Sequence, residues 1–248
     1  MYINDINILY YLGIGIIGLL VGQFIDWCNK RLPEYKKVFS KEFFTVYFKE
    51  AKPKYLLMVA NAAMYVGLLY FFGFSIDTLK FMFLVPMLIS AFVIDYRLQI
   101  IPNRLTLTIF EVGLIFTFAS VMINTNAGIS IFMNNMLGML VGGGIFLIIT
   151  LIGGLIAGKD AMGFGDVKLM GALGLFFGWM NIIMVAVMAF LLAAVISIII
   201  LVSRKKKADE YIPFGPFIVI SAIIAIFVPS TLLLTTLFKI FTLGLYKG

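Results

Sequence analysis

The chain has 248 residues, 62% of them hydrophobic and only 12% charged, and its mean hydropathy is +1.10. Apolar runs long enough to cross a bilayer exclude a single soluble domain and point to an all-α, polytopic membrane helix bundle. The net charge of +7 sits in short segments between those runs, which excludes a nucleic-acid surface. Histidine is absent, which removes Ser-His and Cys-His catalysis, His-held zinc and His proton relays. Cys28 is the single cysteine, so an intramolecular disulfide, a C-x-x-C zinc site and a redox pair are all excluded. No metal and no cofactor are therefore expected. Cys28 itself reads as an inert thiol, with reversible lipidation as the minor alternative. Chemistry falls to carboxylates, Lys, Ser or Tyr.

In chain order the apolar runs predict about eight spans, roughly 7–27, 55–74, 80–96, 105–123, 131–157, 167–179, 181–202 and 214–231. The first has no basic residue before it and no small-residue cleavage pattern, so it reads as a retained helix. Residues 28–54 follow as a basic, aromatic stretch, expected as an amphipathic helix on the membrane surface or simply an orienting loop. Residues 1–54 thus form a span plus a short basic segment, and 55–248 a membrane-embedded core. The sixth span is short and Gly-rich, and is expected to be tilted, broken or embedded partway. Gly18 and Gly22, Gly138 and Gly142, and Gly174 and Gly178 recur at the four-residue spacing that lets membrane helices approach closely. The run Gly142-Gly143-Gly144 is expected to mark a loosened or kinked point. RKKK at 204–207 reads as a stop-transfer signal in contact with anionic lipid. The tail 232–248 suits either the last span or an interfacial helix. With the N-terminus outside, only Lys80, Lys239 and Lys247 of the 19 basic residues fall on the outer side. In that orientation the cytoplasmic face carries the basic segments, and the span count favours an inner (plasma) membrane location.

Asp95 and Asp166 stand at the edges of apolar runs, where a carboxylate is costly and is a functional group by default. Asp166 lies in Gly163-Phe164-Gly165-Asp166 at the start of a helix. Gly163 and Gly165 leave room for backbone approach and unusual dihedrals. The helix start and Lys168 favour the ionised acid. The plain alternative is a helix cap by Asp166. Asp95 ends its span, and Pro102 with Asn103 turns the chain into the next. The plain alternative there is a pair with Arg97, which requires the helix to end first, because side chains two apart on a helix do not face each other. Glu111, deeper in the fourth span, is expected to pack inward or toward Arg104.

These residues together resemble the prepilin peptidase family, aspartyl proteases of membranes. IDYRLQIIPNRLT is similar to the segment with that family's first catalytic aspartate. GFGDVKLMGALGLFFG is similar to its G-x-G-D segment, and YIPFGPF to the opening of a late span. The three matches come in order over about residues 55–231. The resemblance implies that Asp95 and Asp166 are catalytic, with Gly163, Gly165, Lys168, Pro102, Pro213 and Gly215 shaping the site or binding substrate. For Pro213, Gly215 and Pro216 a purely structural turn at a helix start is an equal reading. It also implies a prepilin-like precursor as partner, cut on the cytoplasmic side after a short basic leader. GLLVGQFIDWCNKRLP is similar to the family's N-terminal G-S-F-x-N-x-x-x-x-R-L-P, with Gln23 in place of Ser. Bifunctional members carry two C-x-x-C pairs in the next loop and also methylate the product. Residues 34–54 have no counterpart to that loop, so methyl transfer is not expected.

Rival readings are a transporter coupling protons or cations through the two aspartates, a non-catalytic scaffold, and a Ser-Lys protease using Lys168. The first expects acids at the midplane and an inverted repeat. The last lacks a serine near Lys168 in sequence.

Overall fold

A computed structural model describes residues 2–47, 52–157, 162–203 and 212–241. Two short strands, β1 (Tyr2–Ile3) and β2 (Ile6–Asn7), pair antiparallel around Asn4 and Asp5, both left-handed. The rest is helical: α1 (Ile8–Arg31), α2 (Tyr55–Phe72), α3 (Ile76–Leu98), α4 (Asn103–Ile123), α5 (Gly128–Ala157), α6 (Phe164–Val202), α7 (Gly215–Phe227) and α8 (Ser230–Phe241). The first six are long and apolar enough to cross a membrane, and α7 is a shorter apolar helix. The protein is an all-α, multi-pass membrane protein.

Contacts divide the chain into two compact units, Met1–Phe116 and Thr117–Gly248. In the first, α1 starts on Asn7, whose side chain accepts from the Leu9 N–H, and ends on Lys30 and Arg31, cations suited to a helix C-terminus. A methyl group on Gly18 would collide with the Ala62 backbone, and one on Gly22 with Met58. These glycines set how closely α1 and α2 pack. Asn61, fully buried, donates to the Gly18 carbonyl (2.9 Å), and the Tyr65 hydroxyl donates to the Met82 carbonyl of α3 (2.7 Å). These two donors are thus satisfied across helices. Leu68, Leu69, Leu84, Val85 and Leu88 fill the core between α2 and α3.

In the second unit, α5 and α6 meet backbone to backbone. A methyl on Gly138 or Gly174 would land on the other's peptide, and one on Gly142 on the Met170 carbonyl. The expected loosening at Gly142–Gly144 does not occur. α5 runs unbroken through it, because close packing against α6 uses Gly142 as contact surface. The break falls at Gly178, whose φ of 73° and ψ of 174° interrupt α6. The sixth and seventh runs are therefore two helical pieces of one 39-residue element, broken where the sequence placed their boundary. Asn134 on α5 sits against Gly178, and its Oδ1 accepts from the Trp179 N–H (3.4 Å), a donor released by the break.

The amphipathic helix expected over 28–54 is not present among the described residues. α1 continues to Arg31, residues 32–42 turn, and Phe43–Tyr47 makes one wide helical turn. Long-range bonds to α1, set out below, override the local pattern. RKKK at 204–207 lies outside the described residues, as does the tail beyond Phe241; α8 covers its start.

Candidate active site

Asp95 stands one turn from the end of α3. Its carbonyl accepts from the Gln99 N–H (2.8 Å), and Gln99 takes a left-handed conformation (φ 55°) that ends the helix. Only 5% of Asp95 is exposed, between the buried Ala91 and Ile94 and the exposed tip Tyr96–Ile100. Because α3 runs on to Leu98, Arg97 lies on a different face, and the Asp95–Arg97 pairing does not have the geometry it needs. Pro102 is buried, and its carbonyl accepts from the Leu105 and Thr106 N–H groups, so it opens α4. Glu111 is exposed on α4, which rules out inward packing, one of the two expectations for it.

The same end of the first unit holds a polar cluster that the sequence reading passed over. Asp26 on α1 is 5% exposed. It pairs with Lys30 (2.8 Å) and accepts from the Tyr47 hydroxyl (2.9 Å), which in turn accepts from the Gln23 amide (2.8 Å). Burial, then the bond to Asp26 and its charge, push the Tyr47 hydroxyl above its ordinary pKa. Trp27 donates from its indole to the Val38 carbonyl (2.9 Å) and packs on Phe43 and Tyr47. Asn29 of α1 accepts from Ser90 of α3, which ties this end to the helix bearing Asp95. The available signal was an acid four residues before a lysine at the end of an apolar run. An apolar cavity of about 380 Å³, lined by Ile14, Leu69, Phe74 and Met82, lies at the other end of α1–α3 from Asp95.

In the second unit, Asp166 is the third residue of α6 and 4% exposed. The helix is capped by Gly163, whose carbonyl accepts from the Asp166 N–H (3.0 Å), so Asp166 is not the cap. Gly163 has an ordinary extended conformation (φ −63°, ψ 134°), so it needs no left-handed freedom. A methyl there would meet Asp166 Oδ2 at 3.5 Å, plain van der Waals contact. Gly165 is half-buried, and Lys168 is exposed with its ammonium 5.6 Å from the centre of the Phe164 ring. Pro213 is half-buried; Gly215, buried, begins α7 with Pro216 behind it. The Phe214 ring between them packs 5.0 Å from Phe190 and 5.8 Å from Phe146. That packing is a structural use of the PFGP turn, seating α7 against α5 and α6.

Asp95 and Pro102 thus belong to the first unit, and Gly163, Gly165, Asp166, Lys168, Pro213 and Gly215 to the second. Asp95 and Asp166 share one local setting, a carboxylate buried within a turn of a helix end. Among the described residues no group of three or more carboxylates or thiols comes together to hold a metal ion.

Residues 82–198 match the family described as the type IV leader peptidase family. A protein of Legionella pneumophila named prepilin leader peptidase/N-methyltransferase is 33% identical over 156 residues, 63% of this chain and 52% of that protein. Proteins of the same name from Aeromonas hydrophila (30% over 149 residues, 60% and 49% of the two chains) and Pseudomonas aeruginosa (27% over 171 residues, 69% and 57%) are also similar. The chain spans about half the length of the curated relatives it matches. No solved structure matches it. The stretch that matches the type IV leader peptidase family, residues 82–198, contains both Asp95 and Asp166.

Proposed function

We propose that this chain is an aspartyl endopeptidase that removes the short basic leader of prepilin-like precursors, with Asp95 and Asp166 as the catalytic pair. The observation that carries the reading is that both acids are buried at helix ends inside the stretch that matches the leader peptidase family. α4 and α5 lie between them in the chain. Two crossings return a chain to the membrane face it left, so the proposal puts both acids on one face. By the bias of basic residues that face is cytoplasmic, and the bacterial sources of the relatives support the inner membrane.

Two carboxyl groups brought to hydrogen-bonding distance cannot both ionise easily, so they share one proton and titrate as a pair. The ionised partner takes a proton from water as the oxygen attacks the scissile carbonyl. The protonated partner donates to the carbonyl oxygen, as in the aspartic proteases. Gly163 and Gly165 leave the approach to Asp166 free of side chains, and exposed Lys168 adds positive charge at that helix start. Pro102, Pro213 and Gly215 hold the turns that bound the site. The transporter reading gains no support from the relatives, each of which is named a peptidase.

Asp95→Asn and Asp166→Asn test the pair, since Asn keeps size and polarity but cannot exchange the proton. Each variant should insert normally and cleave a prepilin at least about a hundredfold more slowly, the scale of a lost general acid or base. Leader removal by either at near wild-type rate would remove the pair from the mechanism.

The methyltransferase activity in the relatives' name is not extended to this chain. Cys28 is its single cysteine, and residues 32–47 are held to α1 by Asp26, Trp27 and Tyr47. Pilin matured by this protein with S-adenosylmethionine supplied should show an unmodified new N-terminus by mass spectrometry; an added methyl group contradicts this part of the proposal.

A further inference from the structure

Residues 33–47 do not lead away from the end of α1; they fold back along it. The Lys54 N–H, at the start of α2, donates to Gln23 Oε1 (2.9 Å), so α2 begins level with Gln23. α1 continues past that level to Arg31, about 12 Å at 1.5 Å per residue. The returning segment lies beside this projection. The Val38 carbonyl takes the Trp27 indole N–H, the Phe39 ring lies 6.2 Å from that of Phe24, and the Tyr47 hydroxyl reaches Gln23 and Asp26. The segment, a one-sided collar, therefore lies along the last two turns of a spanning helix just beyond its apolar stretch. That is the depth of the headgroup layer.

Two aromatic side chains of the collar point outward. Phe39 is 89% exposed and Tyr35 61%. Tyr35 holds a left-handed backbone (φ 56°), disfavoured for a side chain of its kind. It is kept there by bonds from its own N–H to Leu32 and from the Lys36 N–H to Arg31. Arg104, from the first turn of α4, donates to the Lys36 carbonyl (3.3 Å), with its guanidinium 5.9 Å from the Tyr35 ring. Local acids are already matched, Asp26 with Lys30, Glu34 with Lys36 and Glu42 with Arg31. Lys37 and Lys41 are exposed and have no acidic partner among the described residues.

We propose that Tyr35, Lys37, Phe39, Lys41 and Arg104 form a binding site for the headgroups of anionic phospholipids. The cations receive the phosphate, and the two rings enter the boundary between headgroups and acyl chains, where aromatic side chains are favoured. An acidic protein segment would match the charge, but it would have to cover Phe39 at a depth already filled by lipid. The proposal does not depend on the peptidase reading.

The test is native mass spectrometry of the full chain released from detergent with phosphatidylglycerol or phosphatidylcholine added, against a variant carrying Lys37→Gln, Lys41→Gln and Arg104→Gln. The wild type should retain phosphatidylglycerol in preference, and the triple variant should lose at least about tenfold of that preference. Phe39→Ser should weaken retention of both lipids. Equal preference in the triple variant, with an unchanged circular dichroism spectrum, overturns the proposal. So does binding of glycerol phosphate or of a polyglutamate peptide without any preference for the anionic lipid. If the triple variant does not fold, Lys37→Gln and Lys41→Gln singly carry the test. Both side chains are exposed, and each change should lower the preference about threefold; no change in either contradicts it.

Discussion

Near Asp95, α1 is joined to its surroundings through polar side chains: Asn29 with Ser90 of α3, Asp26 with Lys30 and Tyr47, and Trp27 with the Val38 carbonyl. α6, whose first turn holds Asp166, meets α5 peptide against peptide at Gly138, Gly142 and Gly174. The difference follows from what surrounds each contact. At the end of a span, water and headgroups let ionic and hydroxyl groups be carried at modest cost, and such contacts fix direction as well as distance. Within the span there is no hydrophobic drive between helices, because lipid is as apolar as leucine, and close approach of backbones supplies the attraction. The two acids are thus positioned by two kinds of contact that fail in different ways.

The largest expected effect comes from filling the glycine contact. Gly174→Leu places a branched side chain on the Gly138 peptide, which cannot rotate away as a side chain would. The change should cost about 3 kcal/mol or more, the upper range for overpacking, and lower the thermal midpoint in detergent. A loss below about 1 kcal/mol would show that α5 and α6 separate without penalty, and the contrast between the units would collapse.

The polar end should fail more gently. Tyr47→Phe removes one donor to a buried carboxylate that keeps Lys30, a loss of about 1–2 kcal/mol. It should appear as faster hydrogen exchange over the collar with the spans unchanged. The pH dependence sharpens this. Folding raises the Tyr47 pKa through burial and the bond to Asp26, so its contribution is fully present below the unfolded value of about 10 and is lost as pH rises above it. Collar protection should fall at high pH in the wild type, and Tyr47→Phe should remove that tyrosine-dependent fall. An identical profile in the variant would show that Tyr47 is not what holds the segment.

Much of the architecture is legible in hydropathy alone. The run at 55–74 becomes Tyr55–Phe72, and 105–123 becomes Asn103–Ile123, because an apolar stretch of span length in lipid has no alternative to helix. The glycine pairs are legible as close contacts for the same reason. What the sequence conceals depends on partners far away in the chain. Gly142–Gly144 and Gly178 carry the same local freedom, and only the neighbour across the interface, Met170 in one case and Asn134 in the other, decides which one bends. Residues 28–54 have the composition of a surface helix, yet Tyr47 bonds to Asp26, 21 residues earlier, and no local pattern announces that. Asp95 and Asp166 stand out because a carboxylate at the edge of an apolar run is expensive. Asp26 sits at such an edge too, and is explained by the lysine one turn on.

The central claim, that Asp95 and Asp166 form one site, is tested most directly by cross-linking. In a Cys28→Ser background, which leaves no other thiol, Asp95→Cys and Asp166→Cys are introduced together and the protein is treated in membranes with a short bifunctional maleimide. The account predicts an intramolecular link between positions 95 and 166, found by mass spectrometry of the digested protein and suppressed by adding prepilin. Two thiols that each react with a monofunctional maleimide yet never link to each other would contradict it.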